Sequence, residues 1–183
     1  GIHPMFAILL AGIAGSIITL IPALMKVKTT ANELVSSLMM NYLVLYISNF
    51  ILMKFLRDPK MGSGSYEILG NSKLMVLFPG TRIHTGLLIA FLVVVFGYWF
   101  LYKTKIGYEL RLTGENEKFA KYSGVSIVKV VLISQLLGGF IAGMGGGVEM
   151  LSPMFNRFTW TALLGYGWDA IIISTLSKKN PLY

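Results

Sequence analysis

Few side chains in this sequence could carry out chemistry, and two carboxylates within apolar stretches stand out among them. Asp169 follows Gly165 and Gly167 in a short apolar segment, and Glu149 follows a run of three glycines. A glycine-broken hydrophobic segment with a carboxylate is typical of a transporter's binding or gating element. Each carboxylate could instead cap a helix or lie in a loop. Both interpretations stay open for Asp169, whereas the structural role is favoured for Glu149.

Polar side chains along the apolar stretch 34–56 form a second group of candidates. On a helix they occupy two adjacent stripes, the first with Ser37, Asn41 and Ser48, the second with Tyr42, Tyr46 and Asn49. Such stripes either hydrogen-bond neighbouring helices or line a hydrated path for a polar solute. The predicted possible substrate path consists of Asn41, Ser37, Ser48 and Asp169.

The residue inventory disfavours most other chemistry. The sequence has no cysteine and only two histidines, which excludes disulfides and thiolate metal sites and leaves little for a zinc centre. Neither an HExxH motif nor a paired-carboxylate motif is present, which disfavours a membrane-embedded enzyme. We therefore expect no catalytic residue, no metal and no cofactor in this chain.

The composition indicates that these candidates lie in a bilayer. Apolar residues make up 55% of the 183 residues and charged residues only 13%, about half of what a soluble domain carries. Disorder is excluded, because disordered chains are poor in apolar residues. The net charge of +8 does not indicate nucleic-acid binding, because the basic residues lie between apolar stretches, as membrane orientation requires.

Four stretches are long enough to cross the hydrocarbon core, which takes roughly 20 residues. They are 5–25, 34–56, 83–102 and 125–147, and a shorter fifth stretch, 163–176, is either a half-span or a truncated helix. The sequence predicts an all-α polytopic membrane helix bundle. Rows of small residues at four-residue spacing predict close helix packing in the first and fourth spans. Thr30 and Glu33 form a capping-box pattern that would start the second span.

The basic residues predict the orientation of the spans. Segments 103–124 and 26–33 hold seven Lys or Arg in 30 positions, whereas the opposite side holds five in 45. Cytoplasmic loops carry the excess of basic residues. We therefore expect segment 103–124 to be cytoplasmic and the longest loop, 57–82, to lie outside.

Segment 103–124 is long for a connection between two spans, and its central residues, 115–122, strongly favour a helix. Gly114 and Gly124 are expected to break the chain on either side of this short helix. A short charged helix at a membrane face either docks a soluble partner or is a solvated loop.

The same segment resembles the cytoplasmic loop of the permease subunits of bacterial ABC importers for simple sugars and nucleosides, which are related to the ribose permease. Their pattern, G-x-x-x-R-A-x-G-x-N-x-x-A-A-x-x-x-G-I, is matched here by Gly107, Arg111, Gly114, Asn116, Ala120 and Gly124. The sequence departs from it at Leu112, Phe119 and Val125. The runs 32–42, 165–169 and 180–181 also resemble the nucleoside branch, so the likeness covers nearly the whole chain.

The resemblance implies a mechanism in which residues 103–124 couple the permease to a cytoplasmic ATP-binding subunit. The implied coupling residues are Gly107, Arg111, Gly114, Glu115, Asn116, Phe119, Ala120 and Gly124. ATP would bind to that partner, and an extracytoplasmic substrate-binding protein would deliver the nucleoside or sugar. A second, different permease subunit would complete a heterodimer in the cytoplasmic membrane of a bacterium. Because such permeases are nearly twice as long, residues 1–183 are expected to be a partial transmembrane domain that lacks spans at both ends.

An ion-coupled secondary transporter or channel is the alternative, with Asp169 as the coupling carboxylate. It would need no ATPase and would leave the helix within 103–124 unexplained.

Overall fold

A computed structural model describes residues 3–29, 32–60, 64–68, 72–77, 80, 83–152, 157–159 and 162–177. Within these ranges the chain is helical and has no strands, apart from two isolated bridges, Arg57 with Ser65 and Val76 with His84. The all-α prediction is confirmed. The helices are α1 (Pro4–Thr29), α2 (Glu33–Ile51) with a π-helical turn (Leu52–Leu56), α3 (Gly86–Lys103), α4 (Lys105–Glu115), α5 (Glu117–Tyr122), α6 (Ile127–Met150) and α7 (Tyr166–Leu176).

Four of these helical segments are long and apolar enough to span a membrane. They are Pro4–Thr29, Leu34–Leu56, Gly86–Lys103 and Ile127–Met150, and each lies within a few residues of a predicted span. The agreement follows from length, because a run of about 20 apolar residues at a rise of 1.5 Å per residue matches the hydrocarbon core. The protein is a multi-pass membrane protein.

The two helices that pack most closely are α1 and α6, which run antiparallel. A Cβ added to Gly15 would meet the carbonyl oxygen of Gly139 and lie 3.0 Å from the Cα of Gly143. Gly138 and Gly146, one position away, have nothing within 4 Å. Of the two rows of small residues in the fourth span, the row 139, 143 and 147 therefore forms the α1–α6 contact, as close backbone approach in membranes requires.

Two hydroxyl groups fasten the same contact. The hydroxyl of Ser16 donates to the carbonyl oxygen of Leu136, and that of Thr19 donates to the carbonyl oxygen of Gln135, each over 3.0 Å. Such hydrogen bonds between membrane helices contribute roughly 0.6 kcal/mol each on average. The glycines set how closely the helices approach, and the hydroxyls fix their register.

At the end opposite segment 103–124, an ion-pair network joins two loops. Arg157 lies 3.4 Å from Asp58 and 3.7 Å from Glu67, and Lys73 lies 3.1 Å from Glu67. The hydrogen bond and the positive charge of Lys73, followed by the charge of Arg157, hold the pKa of Glu67 below its ordinary value. Because Glu67 is exposed, water screens this network, which ties the loops together without contributing much stability.

The start of α2 differs from the predicted capping box. The N-cap is Asn32, whose side-chain oxygen accepts from the backbone N–H of Leu34 over 2.9 Å. Thr30 and the side chain of Glu33 lie outside the described residues. The predicted cap residue was wrong because asparagine caps a helix at least as well as threonine and lies two residues nearer to the helix.

Candidate coupling segment and solute cavity

Segment 103–124 forms two helices, α4 and α5, and the turn from α3 into α4 is tight. Thr104 is the N-cap of α4: its hydroxyl accepts from the N–H of Gly107 over 3.0 Å and donates to the carbonyl oxygen of Phe100 over 2.6 Å. Gly107 is buried, and a Cβ there would meet the carbonyl oxygens of Phe100 and, at 2.6 Å, Leu101. Only glycine fits this turn without a shift of the backbone.

Arg111 strengthens the connection between α3 and α4. Its guanidinium carbon lies 4.5 Å from the centre of the Tyr102 ring, one helix back along the chain. A guanidinium over an aromatic face contributes about 0.5–1 kcal/mol at exposed sites. The structure thus gives Arg111 a contact inside the permease, next to the turn that Gly107 makes possible.

The break between α4 and α5 lies at Asn116 and not at Gly114. Asn116 has an extended backbone (φ −152°, ψ 100°), and its side-chain oxygen accepts from the N–H of Phe119 over 3.0 Å. Gly114 lies inside α4 and has nothing within 4 Å of an added Cβ. The predicted break at Gly114 was wrong, because an asparagine N-cap starts a new helix by itself, whereas glycine only weakens one.

Gly124 ends α5 as predicted. Its φ of +83° lies in the left-handed region, its N–H donates to the carbonyl oxygen of Lys121, and the N–H of Val125 donates to that of Ala120. This pair of bonds is a Schellman motif, which favours glycine at this position. Gly124 therefore fixes where α5 stops and how the chain enters α6.

The side chains of α5 divide into an inner and an outer set. Ala120 is fully buried, whereas Phe119 is 57% and Tyr122 is 91% exposed. The charged residues Glu117, Lys118 and Lys121 of α5 are exposed as well, and so is Glu115 at the end of α4. Of the predicted coupling residues, Gly107 and Ala120 thus shape the segment from inside, and Glu115 and Phe119 are available to a partner.

A second feature is a cavity of about 580 Å³ between α1, α2, α6 and the segment that leads into α7. Its polar lining residues are Thr19, Ser37, Asn41, Gln135, Tyr166 and Trp168. Among the described residues of the lining, the others are apolar or glycine and none is charged. This volume is typical of small-molecule sites.

The structure brings together two of the four residues of the predicted path. Ser37 and Asn41 line the cavity, whereas Ser48 and Asp169 are not among its lining residues. Asp169 is exposed in the first turn of α7, where a carboxylate interacts favourably with the helix dipole. The sequence did not predict that Gln135 and Trp168 line the cavity. The one available signal was the run 165–169, which contains Trp168 and resembles the family.

Glu149 lies in the last turn of α6, and not in the loop or helix cap that the sequence favoured. Its carboxylate accepts a hydrogen bond of 3.0 Å from the hydroxyl of Tyr166. The bond links α6 to the beginning of α7, which has no buried residue along its 11 residues. The motif 180–181 lies outside the described residues.

Comparison with known proteins places this arrangement in a family. The profile described as the branched-chain amino acid transport system / permease component matches residues 1–182, so the chain belongs to this family of membrane permeases. The chain is 30% identical, over 98% of its length, to the guanosine ABC transporter permease protein NupP of Bacillus subtilis. It is 30% identical, over 94% of its length, to the glucose ABC transporter permease protein TsgB13 of Haloferax volcanii. It is 27% identical, over 98% of its length, to the guanosine ABC transporter permease protein NupQ of Bacillus subtilis.

The chain spans about half the length of these relatives, since the matches cover 52%, 48% and 58% of them. No solved structure matches the chain significantly. The resemblance to ABC importer permeases is confirmed. The alternative of an ion-coupled secondary transporter or channel was wrong, because the family and these relatives are ABC permeases.

Proposed function

We propose that this chain is part of the membrane-spanning subunit of an ABC importer that moves a nucleoside or a simple sugar across the cytoplasmic membrane of a bacterium. The observation that carries the proposal is the segment α4–α5, which joins two spans and exposes Phe119 and Tyr122 beside four charged side chains. Exposed aromatic anchors within a charged rim are the composition of a protein–protein interface.

The partner on this face would be a cytoplasmic ATP-binding subunit, which would bind and hydrolyse the ATP. The permease would then use no cofactor and perform no chemistry. A substrate-binding protein would deliver the solute at the opposite end, near the loops that Arg157 joins to Asp58 and Glu67. The likeness to both NupP and NupQ, two guanosine permeases of one bacterium, supports a pair of different permease subunits.

The test compares two aromatic residues with equal exposure at opposite ends of the bundle. Phe119 in α5 and Tyr66 in the opposite loop are each 57% exposed. We expect Phe119→Asp in the full-length permease to weaken ATPase association by a factor of about 30 or more, because loss of an interface anchor costs roughly 2 kcal/mol or more. Tyr66→Asp should leave the association unchanged. The measurement is the amount of ATPase that co-purifies at equal permease abundance.

Insertion into the membrane should be the same for both variants, because both positions lie outside the spans. If Phe119→Asp retained as much ATPase as Tyr66→Asp, segment 103–124 would be a simple connector and the proposed coupling would be wrong.

A further inference from the structure

We propose that the exposed face of α3, together with Arg111 of α4, binds an anionic phospholipid at the end of the bundle from which α4 and α5 extend. The phosphate of the lipid contacts Arg111 and Lys103, and one of its acyl chains lies along α3. This proposal does not depend on the solute or on the ATPase, since it concerns the surface that faces the bilayer.

An exposed apolar stripe along α3 provides the surface for the acyl chain. Leu92, Phe96 and Trp99 are all exposed, and their spacing of four and three residues places them on one face of the helix. Lys103, four residues after Trp99, continues this face and is the last residue of α3. From Leu92 to Lys103 the helix rises about 16 Å, and one leaflet of the hydrocarbon core is about 15 Å thick. A lipid with its head at Lys103 therefore has apolar side chains beside it through the whole leaflet.

Two cations lie at the headgroup end of this stripe. The guanidinium carbon of Arg111 lies 4.5 Å from the centre of the Tyr102 ring, and Lys103 directly follows Tyr102. The rings of Tyr102 and Tyr98 have their centres 4.9 Å apart, and such amphipathic rings are enriched at the level of the lipid headgroups. The stacking on Tyr102 thus holds the charge of Arg111 at the membrane interface and not in the aqueous phase beyond it.

Neither cation is balanced by a carboxylate within the part of the chain that the structure describes. The ion pair at this end joins Lys105 to Glu109 over 3.9 Å, and the other described pairs lie at the opposite end. Arg111 and Lys103 take part in none of them, and both side chains are exposed. An anion from outside these residues is therefore the complementary partner.

A phospholipid supplies that anion and covers the stripe at the same time. A guanidinium can donate two parallel hydrogen bonds to a phosphate. A lysine at the end of a membrane helix lays its apolar stem along the helix and keeps its ammonium group at headgroup level. Basic residues next to a membrane span attract anionic lipids in this way. A further protein helix on this face would cover the apolar side chains but would leave both cations without a negative charge, unless it placed a carboxylate at the same level.

The test measures which lipid contacts Trp99. The full-length permease, with every other tryptophan replaced by phenylalanine, is reconstituted in vesicles of phosphatidylcholine with increasing fractions of phosphatidylglycerol. In each series one of the two lipids carries brominated acyl chains, which quench tryptophan fluorescence on contact, so that the quenching gives the relative affinity of the two lipids for this face. We expect phosphatidylglycerol to bind at least about tenfold more tightly, because each basic residue at the surface contributes about fivefold, the equivalent of about 1 kcal/mol.

Variants at three basic residues separate a discrete site from the general charge of this end. Arg111→Gln and Lys103→Gln should each lower the preference for phosphatidylglycerol about fivefold, and the double variant should have almost none. Arg111→Lys, which keeps the charge, should lower it less than Arg111→Gln does. Lys129→Gln is the matched control: Lys129 is exposed near the start of α6, at the same end of the bundle. It removes the same charge away from the stripe and should keep the full preference.

The same vesicles distinguish a lipid from a free anion. Sodium phosphate should displace no more phosphatidylglycerol than sodium chloride does at equal ionic strength. Four results would each overturn the proposal. Little quenching by either brominated lipid would mean that protein covers this face. Equal quenching by both would mean that the headgroup is not recognised. A preference that falls as far in Lys129→Gln as in Arg111→Gln would mean that only diffuse charge attracts the lipid. Specific displacement by phosphate would mean that the cations bind a soluble anion.

Discussion

At the scale of single residues, the position of a glycine on its helix decides whether it is needed. A Cβ at Gly143 would meet the carbonyl oxygen of Ala11 and lie 3.0 Å from the Cα of Gly12, which are backbone atoms that cannot move away alone. A Cβ at Gly146, three residues later on the same helix, meets nothing within 4 Å. The two positions differ in their neighbours and not in their local conformation.

This difference gives a matched pair of substitutions. We expect Gly143→Ala to lower the free energy of unfolding by about 1–3 kcal/mol, because α1 and α6 must separate to accommodate the methyl group. Gly146→Ala should be neutral or slightly stabilising, since alanine favours a helix over glycine by up to about 1 kcal/mol. Thermal unfolding of the purified full-length permease in detergent measures both. Equal melting temperatures for the two variants would contradict the assigned α1–α6 contact.

The sequence could predict that small residues mediate helix packing, but not which row does so. The row 138, 142 and 146 and the row 139, 143 and 147 have the same four-residue spacing. Which row contacts α1 depends on the rotation of α6 about its axis relative to α1. That rotation is set by contacts between distant residues, such as the bond from Ser16 to the carbonyl of Leu136. Likewise, the polar stripe of α2 was visible, but Gln135 and Trp168 join Asn41 only once the chain has folded.

At the scale of helices, the turn between α3 and α4 connects the exposed α5 to a membrane span. Thr104, Gly107 and Arg111 each bond or contact the last turns of α3. These contacts join α4 to the end of the preceding span at its N-cap, at its first turn and through the guanidinium of Arg111. A displacement of α5 by a partner would therefore reach α3 through this turn.

Substitutions at two glycines of α4 distinguish the transmission of movement from α5 to α3 from the docking of the ATPase. We expect Gly107→Ala to lower the ratio of solute uptake to ATP hydrolysis in the complete transporter, because its methyl group would collide with the carbonyl oxygens of Phe100 and Leu101 at a cost of about 1–3 kcal/mol. ATPase association should persist, since Phe119 and Tyr122 remain exposed. Gly114→Ala, in the same helix with nothing near its Cβ, should leave the ratio unchanged. An unchanged ratio of solute uptake to ATP hydrolysis in Gly107→Ala would contradict this prediction and show that the turn accommodates the methyl group.

Helix boundaries could be predicted where the end of an apolar run sets them. They were harder to predict where a capping residue sets them. The spans follow from runs of apolar residues, so α1, α2, α3 and α6 were placed correctly. The break at Asn116 was missed, because both glycine and asparagine interrupt helices and only the observed bond from Phe119 to the asparagine side chain decides between them. The N-cap of α2, Asn32, was missed in a similar way, because threonine and asparagine both cap helices and the sequence alone does not decide between Thr30 and Asn32.

At the scale of the whole molecule, the part of the cavity wall that α2 and α6 supply lies in the same half of the bundle as the coupling segment. Gln135 is eight residues from the start of α6, and Asn41 is eight residues from the start of α2, or about 12 Å along each helix axis. Both helices start at the end from which α4 and α5 extend. A movement of α5 relative to α3 and α6 would thus act close to the cavity wall, whereas the ion pairs of Arg157 lie at the far end.

This arrangement depends on which end faces the cytoplasm, and a pair of cysteines tests it. Ser123 follows α5, Lys60 lies in the opposite loop, and both are exposed. The chain has no cysteine, so each single substitution provides a unique thiol once any cysteine in the rest of the full-length protein is replaced. We expect Lys60→Cys to react with a membrane-impermeant maleimide in intact cells and Ser123→Cys to react only after the membrane is opened. The physical reason is the higher density of Lys and Arg near Ser123, because basic loops are retained on the cytoplasmic side. Reaction of Ser123→Cys alone in intact cells would reverse the topology and place α5 out of reach of any cytoplasmic ATPase.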